Sequence, residues 1–256
     1  MHRARQYMRL HRFYISEPVG LQTEITVHSA DLANQVRRVF RLKQGDSLIV
    51  FDGSGSDYEC RIAEFAEESV TLNITTSERS RFMPARNVYL CAAVVKKDTF
   101  EWIVEKATEL GVTHIIPVMA DRSEKKSLNE ARLRKIAIEA SEQSGRGDVP
   151  EIAEILTLEK CVELLRGEAS ERKAEITLVA LHTESDFSPR PRLGGIESAG
   201  LFIGPEGGWS PEEIELFHRR EIPLLCLGKQ VLRAETAVIA ALSQVVFDVN
   251  QGFTLT

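Results

Sequence analysis

No stretch of this chain stays apolar for the roughly 18 to 20 residues that a bilayer-crossing helix needs. The opening "MHRARQYMRL" lacks the apolar centre of a signal peptide. Both absences lead to the expectation of a soluble, cytoplasmic protein. Cysteine is scarce: Cys60, Cys91, Cys161 and Cys226 lie far apart, with no CxxC pair and no histidine at ligand spacing. That excludes a disulfide framework and a zinc-ribbon pattern, so the four are expected to be reduced core thiols and no metal is assigned. Internal repeats and low-complexity tracts are missing too. At 256 residues, with 43% hydrophobic and 27% charged composition, the chain suffices for one large core, or for a large and a small one.

Positive charge is also short overall. The net charge of −6, taken as an average, argues against a polyanionic partner. Its distribution says otherwise. Residues 1–45 hold eight Arg or Lys (Arg3, Arg5, Arg9, Arg12, Arg37, Arg38, Arg41, Lys43) against three acids (Glu17, Glu24, Asp31), a surplus of five, which leaves −11 for the other 211 residues. Such asymmetry points to an N-terminal module facing a polyanion, with a separate task for the acidic remainder.

Hydrophobic periodicity divides the chain in the same place. Between residues 11 and 75 the segments "RFYIS", "EITVH", "DSLIVFD", "YECRIAEF" and "SVTLNIT" read as short strands, with "GSGSD" as a hairpin-type turn. One helix, "ADLANQVRRVFRL", interrupts them. Leu32, Val36, Val39 and Phe40 are expected on its core face, and Arg37, Arg38 and Arg41 point outward. A small β-barrel carrying one basic helix accounts for this part. The polar segment "TSERSRFMPAR" is the expected linker, giving domains at 1–78 and 79–256.

Beyond it, strands alternate with helices. "NVYLCAAVV", "VTHIIPVM", "AEITLVAL", "AGLFIG" and "IPLLCLG" read as buried strands. "DTFEWIVEKATELG", "SLNEARLRKIAIEASEQSG", "SPEEIELFHRR" and "AETAVIAALSQVVFDV" read as helices, the first two closed by Gly111 and Gly145. This is an α/β layer fold with a mostly parallel, doubly covered sheet.

In such sheets ligands collect where loops leave the carboxyl ends of strands. Three segments qualify: "ALHTESD" after Leu181, "GPEGGW" after Ile203 and "LGKQVLRAET" after Leu225. In the second, Gly204, Gly207 and Gly208 permit close backbone approach, and Ser210, Pro211 and Glu213 form a capping box that fixes the next helix. A helix N-terminus behind glycines usually attracts phosphate. Here there is no GK[ST] and no G-x-G-x-x-G spacing, and Glu206, Glu212 and Glu213 already meet the helix dipole and repel another anion. The expected ligand is therefore neutral or cationic. S-adenosylmethionine, with its sulfonium, suits this; ATP does not. Taken alone, the loop serves equally well as a turn joining strand to helix. The third segment sets Arg233, Glu235 and Thr236 at the start of a helix that is apolar all round (Ala237, Val238, Ile239, Ala240, Ala241, Leu242, Val245, Val246), which suggests burial in the domain or against a second copy of the chain.

The segments "LFIGPEGGWSPEEIE", "LLCLGKQVLRAETA", "EKATELGVTHIIPV" and "EASEQSGRGDVPEI" resemble the signature segments of the RsmE-type 16S rRNA (uracil-N3)-methyltransferases of the SPOUT superfamily. The likeness extends into "MRLHRFYI" and "QVRRVFRLKQGDSLIVFDGSG" and covers about residues 8–250; Met1 to Tyr7 look additional. It implies a PUA-like β-barrel that helps hold RNA, followed by an α/β domain with a deep trefoil knot, in a homodimer. It further implies S-adenosylmethionine bound by three loops: Leu181 and His182; Ile203, Gly204, Pro205, Glu206, Gly207 and Gly208; Leu227, Gly228, Leu232, Arg233 and Ala237.

From the chemistry of the reaction, Arg233 is expected to stabilise charge developing on the uracil carbonyls and Glu235 to be a candidate base for the N3 proton. For each a plainer role stays open: an ion pair of Arg233 with Glu235 or Glu206, and a dipole contact for Glu235. Arg9, Arg12, Arg37, Arg38, Arg41 and Arg146 are the expected RNA contacts, with Lys96, Lys97, Lys125 and Lys126 weaker candidates. The implied partner is 16S rRNA within the small ribosomal subunit. A methyltransferase acting on another RNA position, a nucleotide-binding oxidoreductase and a non-catalytic RNA-binding ribosome assembly factor are the competing readings. Trp209 is expected to pack under its loop, and His182 to settle structural hydrogen bonds.

Overall fold

The computed structural model of the chain describes residues 10–80, 82–123, 127–172, 175–183 and 196–247. It comprises two units, Met1–Met83 with Ser141–Asp148, and Pro84–Ala140 with Val149–Thr256. No helix among the described residues is long and apolar enough to cross a membrane.

The first unit is built on a five-stranded sheet: β1 (Arg12–Tyr14), β2 (Glu24–Val27), β3 (Ser47–Phe51), β4 (Ser56–Phe65) and β5 (Val70–Arg79), in the order β1-β3-β4-β5-β2. Only β1 and β3 run parallel. Register shifts at Glu59/Cys60 and Ile62/Glu64 bend the long β4–β5 hairpin, and such bulges raise local twist and let a sheet curl around its contents. Those contents are the alternating inward residues, among them Phe13, Leu48, Val50, Tyr58, Cys60, Ile62, Val70 and Leu72.

The basic helix is shorter than its periodicity predicts. Ser29 caps α1 (Ala30–Asn34), accepting from the Leu32 N–H at 3.2 Å, and a π-helical turn follows over Gln35–Val39. There the Phe40 N–H bonds to the Gln35 carbonyl, five residues back, at 3.0 Å. A π turn advances less per residue than an α turn, so Val39 swings away from the buried Val36 and is 69% exposed. The expected core position of Val39 is therefore corrected; Leu32 and Val36 are buried, and Phe40 packs on the core from its edge.

Residues 141–148 complete this unit. The Glu142 carboxylate accepts from the Tyr14 N–H at 2.9 Å, and the Gly147 carbonyl accepts from the Gly55 N–H at 3.3 Å.

The second unit is a seven-stranded sheet in which every pairing is parallel. Its strands are β6 (Asn87–Ala93), β7 (His114–Met119), β8 (Glu151–Ile152), β9 (Leu156–Thr157), β10 (Thr177–Leu181), β11 (Ser198–Ile203) and β12 (Leu224–Leu225). The order is β12-β10-β11-β6-β7-β8, and β9 also pairs with β7. Helices α2 (Lys97–Glu109), α3 (Glu130–Ser144), α4 (Leu158–Arg172) and α5 (Pro211–Arg219) lie between them in the chain, and α6 (Ala234–Val246) follows the last strand.

Successive strand residues serve opposite faces, which is why the strands read as continuous apolar runs. On β6, Val88, Leu90 and Ala92 pack with α2, α3 and α6, whereas Tyr89, Cys91 and Ala93 pack with α4 and α5. Gly111, at φ +91°, ends α2 as expected. The sequence reading passed over α4, although Leu158, Cys161, Val162 and Leu165 keep helical spacing and are all buried. It also overextended β12, of which only Leu224 and Leu225 pair.

Candidate functional site

The neighbours β12, β10 and β11 run parallel, so their carboxyl ends share one edge of the sheet. The three loops singled out in the sequence leave from that edge and converge on one cleft of about 600 Å3, counted with its open mouth. Ten of the expected cofactor residues line it: Leu181 and His182 after β10; Ile203, Gly204, Pro205 and Gly208 after β11; Leu227, Gly228, Leu232 and Ala237 from the last segment. Glu206, Gly207 and Arg233 do not. Sequence reasoning omitted Thr183, Leu225, Cys226, Gln230 and Ala234, each within two residues of one it named.

Bonds between the loops hold them together. The backbone N–H of His182 donates to the Leu225 carbonyl at 3.0 Å, tying the first loop to the third. The Trp209 indole N–H donates to the Leu181 carbonyl at 3.0 Å, tying the second to the first. Trp209 is buried, with its ring edge-on to Phe217 at 5.1 Å, and it also walls the cleft. Gly204 passes so near the indole that a Cβ there would stand 3.2 Å from it, which explains the glycine.

Past the loop, the capping box forms completely. Ser210 Oγ accepts from the Glu213 N–H at 3.2 Å, and the Glu213 carboxylate accepts from the Ser210 N–H at 2.7 Å. The second carboxylate oxygen accepts from the Asp121 N–H at 3.0 Å, so this buried acid is satisfied on both oxygens. Glu206 and Glu212 are exposed.

Cys226 departs from expectation. Cys60, Cys91 and Cys161 are buried, but Cys226 is half-buried in the cleft wall, its thiol donating to the Gly228 carbonyl at 2.8 Å. The reason lies in the short β12: once pairing stops at Leu225, the chain turns along the cleft instead of continuing into the core. Burial, with the facing Cys161 second, holds the Cys91 thiol well above its ordinary range.

Among the described residues lining the cleft there is no Lys, Arg, Asp or Glu. A polyphosphate would find no counter-charge there, whereas a flat heterocycle would find apolar walls and backbone polar groups.

Arg233 caps α6 in an extended conformation and is exposed, flanked by the cleft residues Leu232 and Ala234. Among the described residues it makes no ion pair with Glu206 or Glu235; Glu235 is half-buried in the first turn of α6. Lys96 and Lys97 stand at the start of α2, where Lys97 lies 3.6 Å from Glu101.

In the first unit Arg37, Arg38 and Arg41 are exposed. Arg12 instead grips Asp57 with both terminal nitrogens, at 2.5 and 2.9 Å, and donates to the Arg146 carbonyl at 3.1 Å. Arg146 is 4% exposed and paired with Asp148 at 2.7 and 2.9 Å. Arg9, Lys125 and Lys126 lie outside the described residues.

Comparison with known proteins follows the same two units. The family described as RNA methyltransferase domain matches residues 83–246, and the RNA methyltransferase PUA domain matches residues 36–75. Curated relatives named ribosomal RNA small subunit methyltransferase E include one from Synechocystis, 32% identical over 93% of this chain and 78% of the relative, and one from Rickettsia conorii, 28% identical over 93% and 96%. Among solved structures, methyltransferase E of Neisseria gonorrhoeae bound to S-adenosylmethionine superposes with a TM-score of 0.79 at 26% identity, covering 91% of this chain and 95% of that one. A putative methyltransferase from Legionella pneumophila in complex with the same cofactor also gives 0.79, at 28% identity, covering 93% and 97%.

Proposed function

The chain belongs to the RNA methyltransferase domain family, and from that premise we propose that it transfers a methyl group from S-adenosylmethionine to N3 of a specific uridine in 16S rRNA of the small ribosomal subunit. The observation that carries the proposal is the convergence of three strand-end loops on one cleft whose described lining residues carry no Lys, Arg, Asp or Glu. Its donor set suits the cofactor: backbone polar groups of the loops for the heterocycle and ribose, Trp209 and the side chains of Leu181 and Leu227 for apolar contact, and, among the described lining residues, no Lys or Arg to oppose a sulfonium. When bound, the cofactor supplies an electrophilic methyl carbon.

The rest is work for the chain's own residues. Uracil N3 is an imide nitrogen that holds its proton at neutral pH, so methylation exchanges an N3–H bond for an N3–C bond and releases one proton. In this reading Arg233, exposed beside two cleft residues, stabilises negative charge on the uracil carbonyls as that proton leaves. Glu235, one turn in, is the candidate acceptor. Arg37, Arg38 and Arg41 are the RNA phosphate contacts in this reading, since Arg12 and Arg146 are engaged by Asp57 and Asp148.

A homodimer, a deep trefoil knot in the second unit and a cytoplasmic site of action complete the proposal. The dimer is supported by the apolar residues left partly open at α6, where Ile239 and Ala240 are half-buried and Phe247, just past its end, is 57% exposed.

Titration calorimetry with S-adenosylmethionine, followed by mapping of methylated nucleosides in small-subunit rRNA incubated with the protein, tests the reading. Donor binding together with a new 3-methyluridine supports it. No heat of binding, or methylation only at ribose or at another base, overturns it.

A further inference from the structure

The glycine loop that walls the cleft is held from its far side. Pro205 and Gly208 line the cleft, while Glu206 and Gly207 between them are exposed. The Gly208 N–H closes the turn onto the Pro205 carbonyl at 2.8 Å, and Gly208 sits at φ +68°, a conformation natural to glycine. The peptide between Gly207 and Gly208 joins two residues without a Cβ, so sterics leave more than one orientation of its plane open.

One side chain holds the other edge of that peptide, opposite its bond to Pro205. Arg122 Nη1 donates to the Gly207 carbonyl at 2.7 Å, a charge-assisted bond, and its Cβ and Cδ lie 3.4 Å from where a Gly207 Cβ would be. Its chain neighbour Asp121 holds the other end of the loop: the carboxylate accepts from Ser210 Oγ at 2.5 Å and the N–H donates to Glu213. Both residues belong to the turn after β7, although β6 separates β7 from β11 in the sheet. Arg122 does not line the cleft.

We propose that Arg122 is a positioning residue for the methyl donor: by holding the Gly207 carbonyl outward it orients the Gly207–Gly208 peptide, so that Pro205 and Gly208 present the cleft wall already formed. This rests on the donor reading proposed above. A wall that must order itself as the donor arrives subtracts that ordering from the affinity; a wall held in place does not. Because the guanidinium is exposed, its removal leaves the packing of the core intact.

Two variants, Arg122→Ala and Arg122→Lys, test it with two readouts. The first is hydrogen exchange of the Gly208 amide in the protein without donor; the second is the Kd for S-adenosylmethionine by calorimetry. In Arg122→Ala both the exchange rate and the Kd rise about tenfold, the scale of one lost hydrogen bond to a charged group, while the thermal midpoint of the donor-free protein is unchanged. Arg122→Lys, which restores one cationic donor, recovers part of each. Unaltered exchange and a Kd within about twofold of wild type overturn the inference, as does a fall in thermal midpoint that accompanies the loss and that Lys does not repair. A wild-type chain that takes up no donor overturns the functional reading itself, and this inference with it.

Discussion

Trp209 donates its indole N–H to the backbone carbonyl of Leu181 at 3.0 Å, so a residue from the glycine loop closes the end of the neighbouring strand while its ring packs edge-on to Phe217. The same side chain thus holds together two of the three loops that form the cleft. Trp209→Phe keeps the aromatic contact and removes the donor. It is expected to lower stability by about 1–3 kcal/mol, the usual consequence of a buried acceptor left short of its partner, and to weaken donor binding. Urea unfolding and calorimetry on the same preparation check both.

Two glycines should respond in opposite directions to the same change. A Cβ on Gly147 would lie 2.4 Å from the Cβ of Ser80, an atom the backbone holds in place, so Gly147→Ala is expected to destabilise by about 1–3 kcal/mol or more through overpacking. Gly167, exposed within α4, has nothing within 4 Å of such a Cβ. There Gly167→Ala is expected to stabilise by about 0.5–1 kcal/mol, because alanine restricts the unfolded chain and favours helix. Thermal or urea unfolding of the pair reads both signs.

The N-terminal arginines separate by what engages them. Arg12 is paired with Asp57 and lies 5.0 Å from the Phe51 ring centroid, so Arg12→Ala should lower the stability of the first unit by a few kcal/mol, about what a broken, largely buried pair involves. Arg38 is exposed; Arg38→Ala should leave stability unchanged and weaken RNA binding, making the slope of log K against log salt shallower by about 1. Filter binding across a salt series, beside unfolding curves, distinguishes the two residues.

Burial, with Glu59 nearby, pushes the Cys60 thiol up to about 12 from an ordinary value of 9.0. Between those values the unfolded chain has lost the proton and the folded protein keeps it, so the folded state binds more protons and stability falls as pH rises. Below pH 9 the contribution is fully present and flat. Cys60→Ala removes this dependence, and the stability difference between wild type and variant should therefore shrink between pH 9 and 12, by at most about 1.4 kcal/mol per pH unit. Unfolding curves at pH 8 and pH 10.5 check it.

Much of the architecture was legible because it is written in local repeats. The parallel strands announced themselves as apolar runs, Gly111 marked a helix end, and Ser210 with Glu213 marked a helix start whose two reciprocal bonds both form. The cleft was legible for a related reason: in a parallel sheet strand direction alone gathers the loops at one edge, and ten of the named residues met there. Helix α4 shows that a legible signal was overlooked, since its buried residues keep the helical interval.

Other features had no local signature. Val39 fits a helical face until the chain widens into a π turn, and that widening is settled by what packs beneath it. Cys226 looks like one more core thiol until pairing stops one residue earlier and turns it into the cleft. Arg12 reads as a free cation in a basic segment; its partner Asp57 is 45 residues away, and no count of neighbouring charges contains it.

By itself the sequence determined most of the strands and helices and which loops carry glycine, because periodicity and caps act over a few residues. Only the tertiary structure decided which arginines remain exposed, which thiol borders the cleft, and that Arg122 and Trp209 hold the glycine loop in place. Those are pairings between distant parts of the chain, and they exist only once the sheet has brought its strand ends together.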